Sequence, residues 1–336
     1  MLILTSNISI EDKEKTVENI KASKVTWKSE VGSFIDSCTI ELPRISYLKT
    51  DKVQTQDLNK ERTSSERKGY AFKEGDKVSV SLGYNNDNKL RFKGFIKRVN
   101  MGVPVKIECE GYGYQLYDII FKGSYTSVTV RKLLEDLVKD TDIKLSGEIP
   151  EIPLKNVRFK NVSGIKVLEW LKDECKLAVY FNMNEIYVGT LFGKTQDSVK
   201  VKIGWNTVKD DEFNQKEVDK SVKIVIKEKN DKGEVNKTKS DQAKSSTEKD
   251  LKIKAGIPAP FLKQIANRLQ TKENYKGYEG NITLFLEPYA TKGMVLKLDG
   301  GMYPDKTGEY FIESVSGEFG ASGGRQTVTL GFLMQK

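Results

Sequence analysis

Carboxylates are the side chains of this sequence that could do acid–base work, because it contains no histidine. Paired acids occur at Asp210-Asp211-Glu212, in a polar run after Trp205, and at Glu108 and Glu110, which a strand would project from the face opposite Cys109. Two carboxyl groups in a cleft, one strongly desolvated, are what a glycoside hydrolase or lyase acting on cell wall needs. Neither group of acids has such a setting in sequence, and acids spaced this way read as solvated faces. Without imidazole there is no Ser-His-Asp or Cys-His nucleophile and no histidine-ligated zinc. The three cysteines are too few and too odd in number for a disulfide framework. Cys109 alternates with Val105 and Ile107, Cys38 shares a face with Phe34 and Ile40, and Cys175 falls one helical turn after Leu171, so all three read as small buried hydrophobes. No catalytic, cofactor-binding or metal-ligating residue is assigned, no cofactor or metal is expected, and the chain reads as a non-enzyme.

A carbohydrate- or receptor-binding β protein would instead present aromatic side chains. Trp27 and Trp170 have apolar neighbours and read as core. Trp205, after Lys-Val-Lys-Ile-Gly, is the remaining candidate, with core or interface packing as its competing role. The formal net charge of +9 comes from lysines interspersed with acids, as in KEKNDKGEVNKTKSDQAKSSTEKD. That pattern reads as a solvated surface weakly attractive to anions, not as a sequence-specific nucleic-acid site.

The elements that must position these residues are mostly strands. In FKEGDKVSVSLGYNNDNKLRFKGFIKRV, Val78, Val80 and Leu82 alternate with Lys77, Ser79 and Ser81, the period of a half-buried strand. Asn85-Asn86-Asp87-Asn88 then reverses the chain, and Leu90, Phe92 and Ile96 resume the apolar face. Strand signals run from Val25 to about Tyr117, interrupted at 49–69 by a tract with almost no apolar side chains, which reads as a long exposed loop. From 118 to 192 the pattern becomes α/β. Val130, Leu133, Leu134, Leu137 and Val138 form one helical stripe with Ser127 or Thr129 as N-cap. A second helix carries Val167, Leu168, Leu171 and Cys175 after Ser163, and a strand–turn–strand follows through Asn182 to Glu185. After Gly193 strands return, with a polar tract at 229–250 read as a second long loop and one more helix with Pro260 in its first turn and Leu262, Ile265, Ala266 and Leu269 on one face. The expected organisation is mainly β with an α/β insert: a β domain at 1–117, a small α/β domain at 118–192 and a β domain at 193–336. No apolar stretch approaches the roughly 20 residues of a membrane span. The start, MLILTSNISIEDKEK, lacks the basic region of a signal peptide, so a cytoplasmic site of synthesis is expected.

In their order and spacing, GDKVSVSLGY, LRFKGFIKRV and VKIECEGYGYQLYD resemble the first barrel of the late control protein D family. These are baseplate hub proteins of phage tails, related to the hub part of type VI secretion spike proteins. The stretch from VTVRKLLEDLV to ECKLAVYF resembles that family's small α/β insert, and NYKGYEGNITLFLEP with GEYFIESVSGEFGASGGRQTVTLG is similar to its closing barrel. The resemblance runs from about Val25 to Phe332, and nothing in it resembles an appended lysozyme or peptidase domain. It implies two tail-tube-like β-barrel domains flanking the insert. It further implies a homotrimer forming a pseudo-six-fold ring between a tail tube, or tube-initiator protein, and a central spike, among other baseplate proteins. The location it implies is a virion tail baseplate or tail-like particle assembled in the bacterial host cytoplasm, without membrane insertion, and with DNA passing through the lumen in a phage.

Overall fold

The computed structural model describes residues 2–335 apart from 13–15, 44–46, 49–55, 58–71, 192–196, 210–211, 219–220, 230–234 and 242–246. The expected loop at 49–69 therefore lies outside the described residues, except that Gln56–Asp57 pairs with Tyr47–Leu48.

Alternation of small polar and branched apolar residues builds the first β region from β1 (Leu4–Glu11), β2 (Lys24–Glu30), β3 (Ser37–Leu42), β4 (Lys77–Tyr84), β5 (Asp87–Asn100) and β6 (Val105–Gly111). The β4–β5 hairpin turns on Asn85 and Asn86 at φ 52° and 68°, the left-handed pair that matches the twist of the flanking strands. Val78, Val80 and Leu82 are buried as expected. A strand before Val25 was not expected; β1 pairs along the whole of β4 and sends Ile8 and Ile10 into the same core.

The insert consists of β7 (Ile120–Thr129), α1 (Val130–Val138), β8 (Pro153–Ser163), α2 (Gly164–Asp173), β9 (Ala178–Asn182) and β10 (Glu185–Gly189). The Thr129 hydroxyl accepts from the Lys132 N–H at 3.2 Å and caps α1, whose apolar stripe is wholly buried. Next come β11 (Ser198–Lys202), β12 (Val222–Lys229), β13 (Val235–Lys239), β14 (Thr247–Ile253) and α3 (Ala259–Asn274). The chain closes with β15 (Gly277–Phe285), β16 (Val295–Asp299), β17 (Gly308–Gly320) and β18 (Gly323–Gln335).

The expected loop at 229–250 is corrected by β13 and the first half of β14, which lie within it. They escaped a reading based on hydrophobicity because they are the two outer strands of a small sheet, order β13-β12-β14, and offer it few apolar side chains. The inner face of that sheet and of α3, with Ile224, Ile226, Ile253, Leu262 and Ile265, shares one core with the insert. The core of the second β region is drawn from β11 and β15 to β18.

The molecule is mainly β, and its largest sheet runs without a break through both β regions in the order β15-β18-β17-β2-β3-β6-β5-β4-β1. The long β17 makes this possible: its first residues pair with β16, while Ser314 to Gly320 pair with Glu30 to Lys24 of β2. No sheet among the described residues closes into a barrel. At the β17–β2 junction Gly317 stands opposite Trp27, and a Cβ on it would lie 2.1 Å from the Trp27 ring. Gly317→Ala is expected to destabilise the fold by about 1–3 kcal/mol, the cost of overpacking a filled site. Urea unfolding monitored by tryptophan fluorescence checks this, and an unchanged midpoint would mean that the indole has room to turn away.

Candidate assembly surface

The candidate chemical groups are dispersed or neutralised. Asp210 and Asp211 lie outside the described residues, and Glu212 accepts from the Asn281 amide at 2.6 Å. Glu108 accepts from the Arg98 guanidinium at 2.8 and 2.9 Å and from Asn100 at 2.9 Å. The Arg98 hydrogen bond holds its carboxyl below the usual range, the reverse of what a general acid needs. Glu110 pairs with Lys97. No cluster of three or more metal-ligating side chains occurs among the described residues.

Cys38 and Cys109 stand opposite each other on β3 and β6, and burial pushes both thiols up, as it does Cys175. Phe34, expected beside Cys38, packs instead against the insert core. Gly111 N donates to Asp36 O across the same ladder, so the alternation makes Cys38 and Cys109 a hydrogen-bonded pair, and both are free thiols. A thiol reagent is expected to titrate none of the three in native protein and all of them in denaturant; rapid native reaction would overturn their reading as core.

What the fold does assemble is a broad polar face on the side of the main sheet away from its cores. Arg325, Glu318, Thr26, Thr39, Glu108 and Arg98 form one row across β18, β17, β2, β3, β6 and β5. Thr283, Thr327, Ser316, Lys28, Ser37 and Glu110 form the next row, starting on β15. With strands roughly 4.8 Å apart, either row spans about 24 Å. Its charges meet in opposite pairs: Lys24–Glu318 at 3.2 Å, Lys106–Glu41 at 3.2 Å and Lys28–Glu30 at 2.9 Å. Exposed pairs of this kind add little stability, but they leave the face hydrated and charge-balanced.

Two buried cations fasten the β regions beneath this face. Arg91 on β5 is 5% exposed. It donates to Gln326 Oε1 at 3.1 Å and to the Leu286 carbonyl, and its guanidinium lies 4.6 Å from the centre of the Tyr289 ring. Gln326 in turn donates to the carbonyls of Phe285, Leu286 and Pro288. Lys292, its side chain 1% exposed, meets Asp36 at 2.5 Å and the Glu30 carbonyl at 3.4 Å. Neither cation was singled out in the sequence; the only local trace of Arg91 is a charge between Leu90 and Phe92 in a strand that is otherwise apolar there.

An apolar tip lies at one end of the second β region. β11 and β16 run parallel, so the turns that follow them leave the sheet at the same end. The first presents Trp205, 82% exposed, and the second Met302, 91% exposed, with Tyr303 beside it. The structure thus removes a core role for Trp205. Both turns are braced: Trp205 N donates to Lys202 O at 3.1 Å, Ile203 N to Asp299 O at 3.0 Å and Gly301 N to the Asp299 carboxylate at 2.9 Å. Met302 and Tyr303 were missed in the sequence, where their only signal is a pair of large apolar residues inside the loop Gly-Gly-Met-Tyr-Pro.

No protein-family model matches the chain, and neither does any curated protein. Solved structures do match in fold. A tail protein from Neisseria meningitidis aligns over 97% of this chain and 96% of its own, with a TM-score of 0.65 and 11% identity. The 43 kDa tail protein of prophage MuSo2 from Shewanella oneidensis aligns over the same shares, with a TM-score of 0.60 and 11% identity. An E. coli component of the type VI secretion system, itself structurally similar to bacteriophage T4 tail proteins, covers 97% of this chain and 76% of its own at a TM-score of 0.57 and 9% identity. At these identities the likeness establishes a shared fold.

Proposed function

We propose that this chain is a structural baseplate hub protein of a phage tail or tail-like injection machine. Three copies form a pseudo-six-fold ring joining the tail tube to the central spike. In this reading residues 1–117 and 193–336 supply two tube-like barrel domains per chain around the insert at 118–192, with β12, β14 and α3 packed onto the insert. The observation that carries it is the main sheet, which passes unbroken through both β regions and keeps one polar face, on a chain that matches phage tail proteins in fold from end to end. A hydrated, charge-balanced sheet face suits a lumen wall. Among the described residues the sheet leaves edges unpaired, β11 among them, and pairing between chains would close the ring and hide those ladders. An obligate ring of this kind buries roughly 2,000 Å² or more per contact. The protein would act without catalysis, in the virion baseplate or a tail-like particle, after assembly in the bacterial cytoplasm.

The test is solution mass by light scattering across a concentration series, alone and with the spike protein, with negative-stain images of the same samples. A species of three times the 38.0 kDa chain, seen as rings with a central channel, is the expected result. A monomer under every condition would overturn the ring.

A further inference from the structure

The small sheet β13-β12-β14 packs α3 on one face and carries an unusual arrangement of charge on the other. Lys227 in the central strand stands directly opposite both Lys237 of β13 and Lys252 of β14. Like charges facing one another across strands oppose pairing. Only the middle one is offset, by Asp250 at 2.5 Å. Lys237 and Lys252 are exposed and have no acidic partner among the described residues.

β13 is also a free edge, paired with β12 alone among the described residues. Ser240 N donates to Ile224 O at 3.0 Å, which sets the alternation of the ladder. Asn236 and Thr238 therefore turn their backbone groups inward to β12, while Val235, Lys237 and Lys239 turn theirs outward. The side chains of those three outward residues share the charged face; Val235 is 53% exposed, and Lys239 meets Glu248 of β14 at 2.9 Å, which leaves Lys237 as the edge lysine without an acidic partner among the described residues.

We propose that β13 is a docking edge for an extended acidic segment of a partner protein, added as a fourth strand. Of two acidic residues spaced two apart, one would face the unpaired Lys237 and the other would share Lys239 with Glu248, while an apolar residue would face Val235. The outward backbone groups supply the ladder, and the alternating side chains supply the choice of partner. Lysines on an edge repel a second copy of the same edge; the same charges select an acidic strand, so exclusion and recognition come from one set of residues. The proposal stands apart from the hub reading, because neither the ring nor its lumen enters it.

The probe is a labelled peptide in which one valine and two glutamates alternate with threonines, followed by fluorescence anisotropy against the full chain. The control has the same composition with its glutamates adjacent. The alternating peptide is expected to bind at least about tenfold tighter than the control, and K237E/K239E to lose that margin. K237P removes an outward N–H without touching the β12 ladder and is expected to abolish binding, whereas K237Q keeps it within a few-fold. Should K237P lower the melting temperature, N-methylation of the peptide at its ladder positions makes the same test on unmodified protein. Equal binding of both peptides, or no binding of either, would overturn the proposal. So would loss in K237E/K239E with full binding by K237P, since that pattern describes a face for polyanions such as heparin.

Discussion

Lys292→Met is expected to lower the first unfolding transition by roughly 10 °C, the equivalent of about 3–5 kcal/mol, because it strands a buried carboxylate. Asp36 is mostly buried and has the Lys292 ammonium at 2.5 Å. Methionine fills the same volume, so the loss reflects charge and not a cavity. The distinguishing measurement is a double-mutant cycle with Asp36→Asn. If the ion pair is what matters, K292M/D36N recovers most of the loss, since removing both charges of a buried pair costs much less than removing one. Additive losses, or a melting temperature unchanged in K292M, would place the fastening of the two β regions in the β17–β2 ladder and the Arg91 contacts.

How far this fold was legible in the sequence depends on where each side chain's partner lies. Val78, Val80 and Leu82, and the stripe Val130 to Val138, announce themselves because their period alone says which face is buried, and all of them are buried. β13 was not legible, since an outer strand of a small sheet needs few apolar residues; Val235-Asn-Lys-Thr-Lys239 has the composition of a loop. Arg91 and Lys292 are the sharper case. Each is a charge whose burial is compensated by residues far along the chain: Gln326 for Arg91, Asp36 and Glu30 for Lys292. No local window holds both partners, so local pattern reads them as surface. The polar face lies between these extremes. Its alternation along each strand could be read, but its width came only with the register that aligned β15, β18, β17, β2, β3 and β6.

If three chains form the proposed ring, Trp205→Ala combined with Met302→Ser is expected to weaken its formation by about 2–4 kcal/mol, roughly 30- to 1,000-fold in association, while leaving the melting temperature of the single chain unchanged. Exposed side chains held on braced turns lose little freedom when covered, so the apolar area they bury converts efficiently into affinity. The tip follows directly on β11, an edge strand paired only with β16 among the described residues, so under the hub reading it borders the seam where one chain meets the next. Light scattering of the variant at concentrations that assemble the unmodified protein reads the effect, with K292M as the contrasting case in which the fold itself gives way. A variant that assembles as well as the original would move the seam away from β11 and leave the tip for the tube or the spike. A variant that fails to assemble yet melts normally would tie the ring to two side chains that contribute nothing to the isolated fold, which is the behaviour of a surface kept for a partner and not for stability.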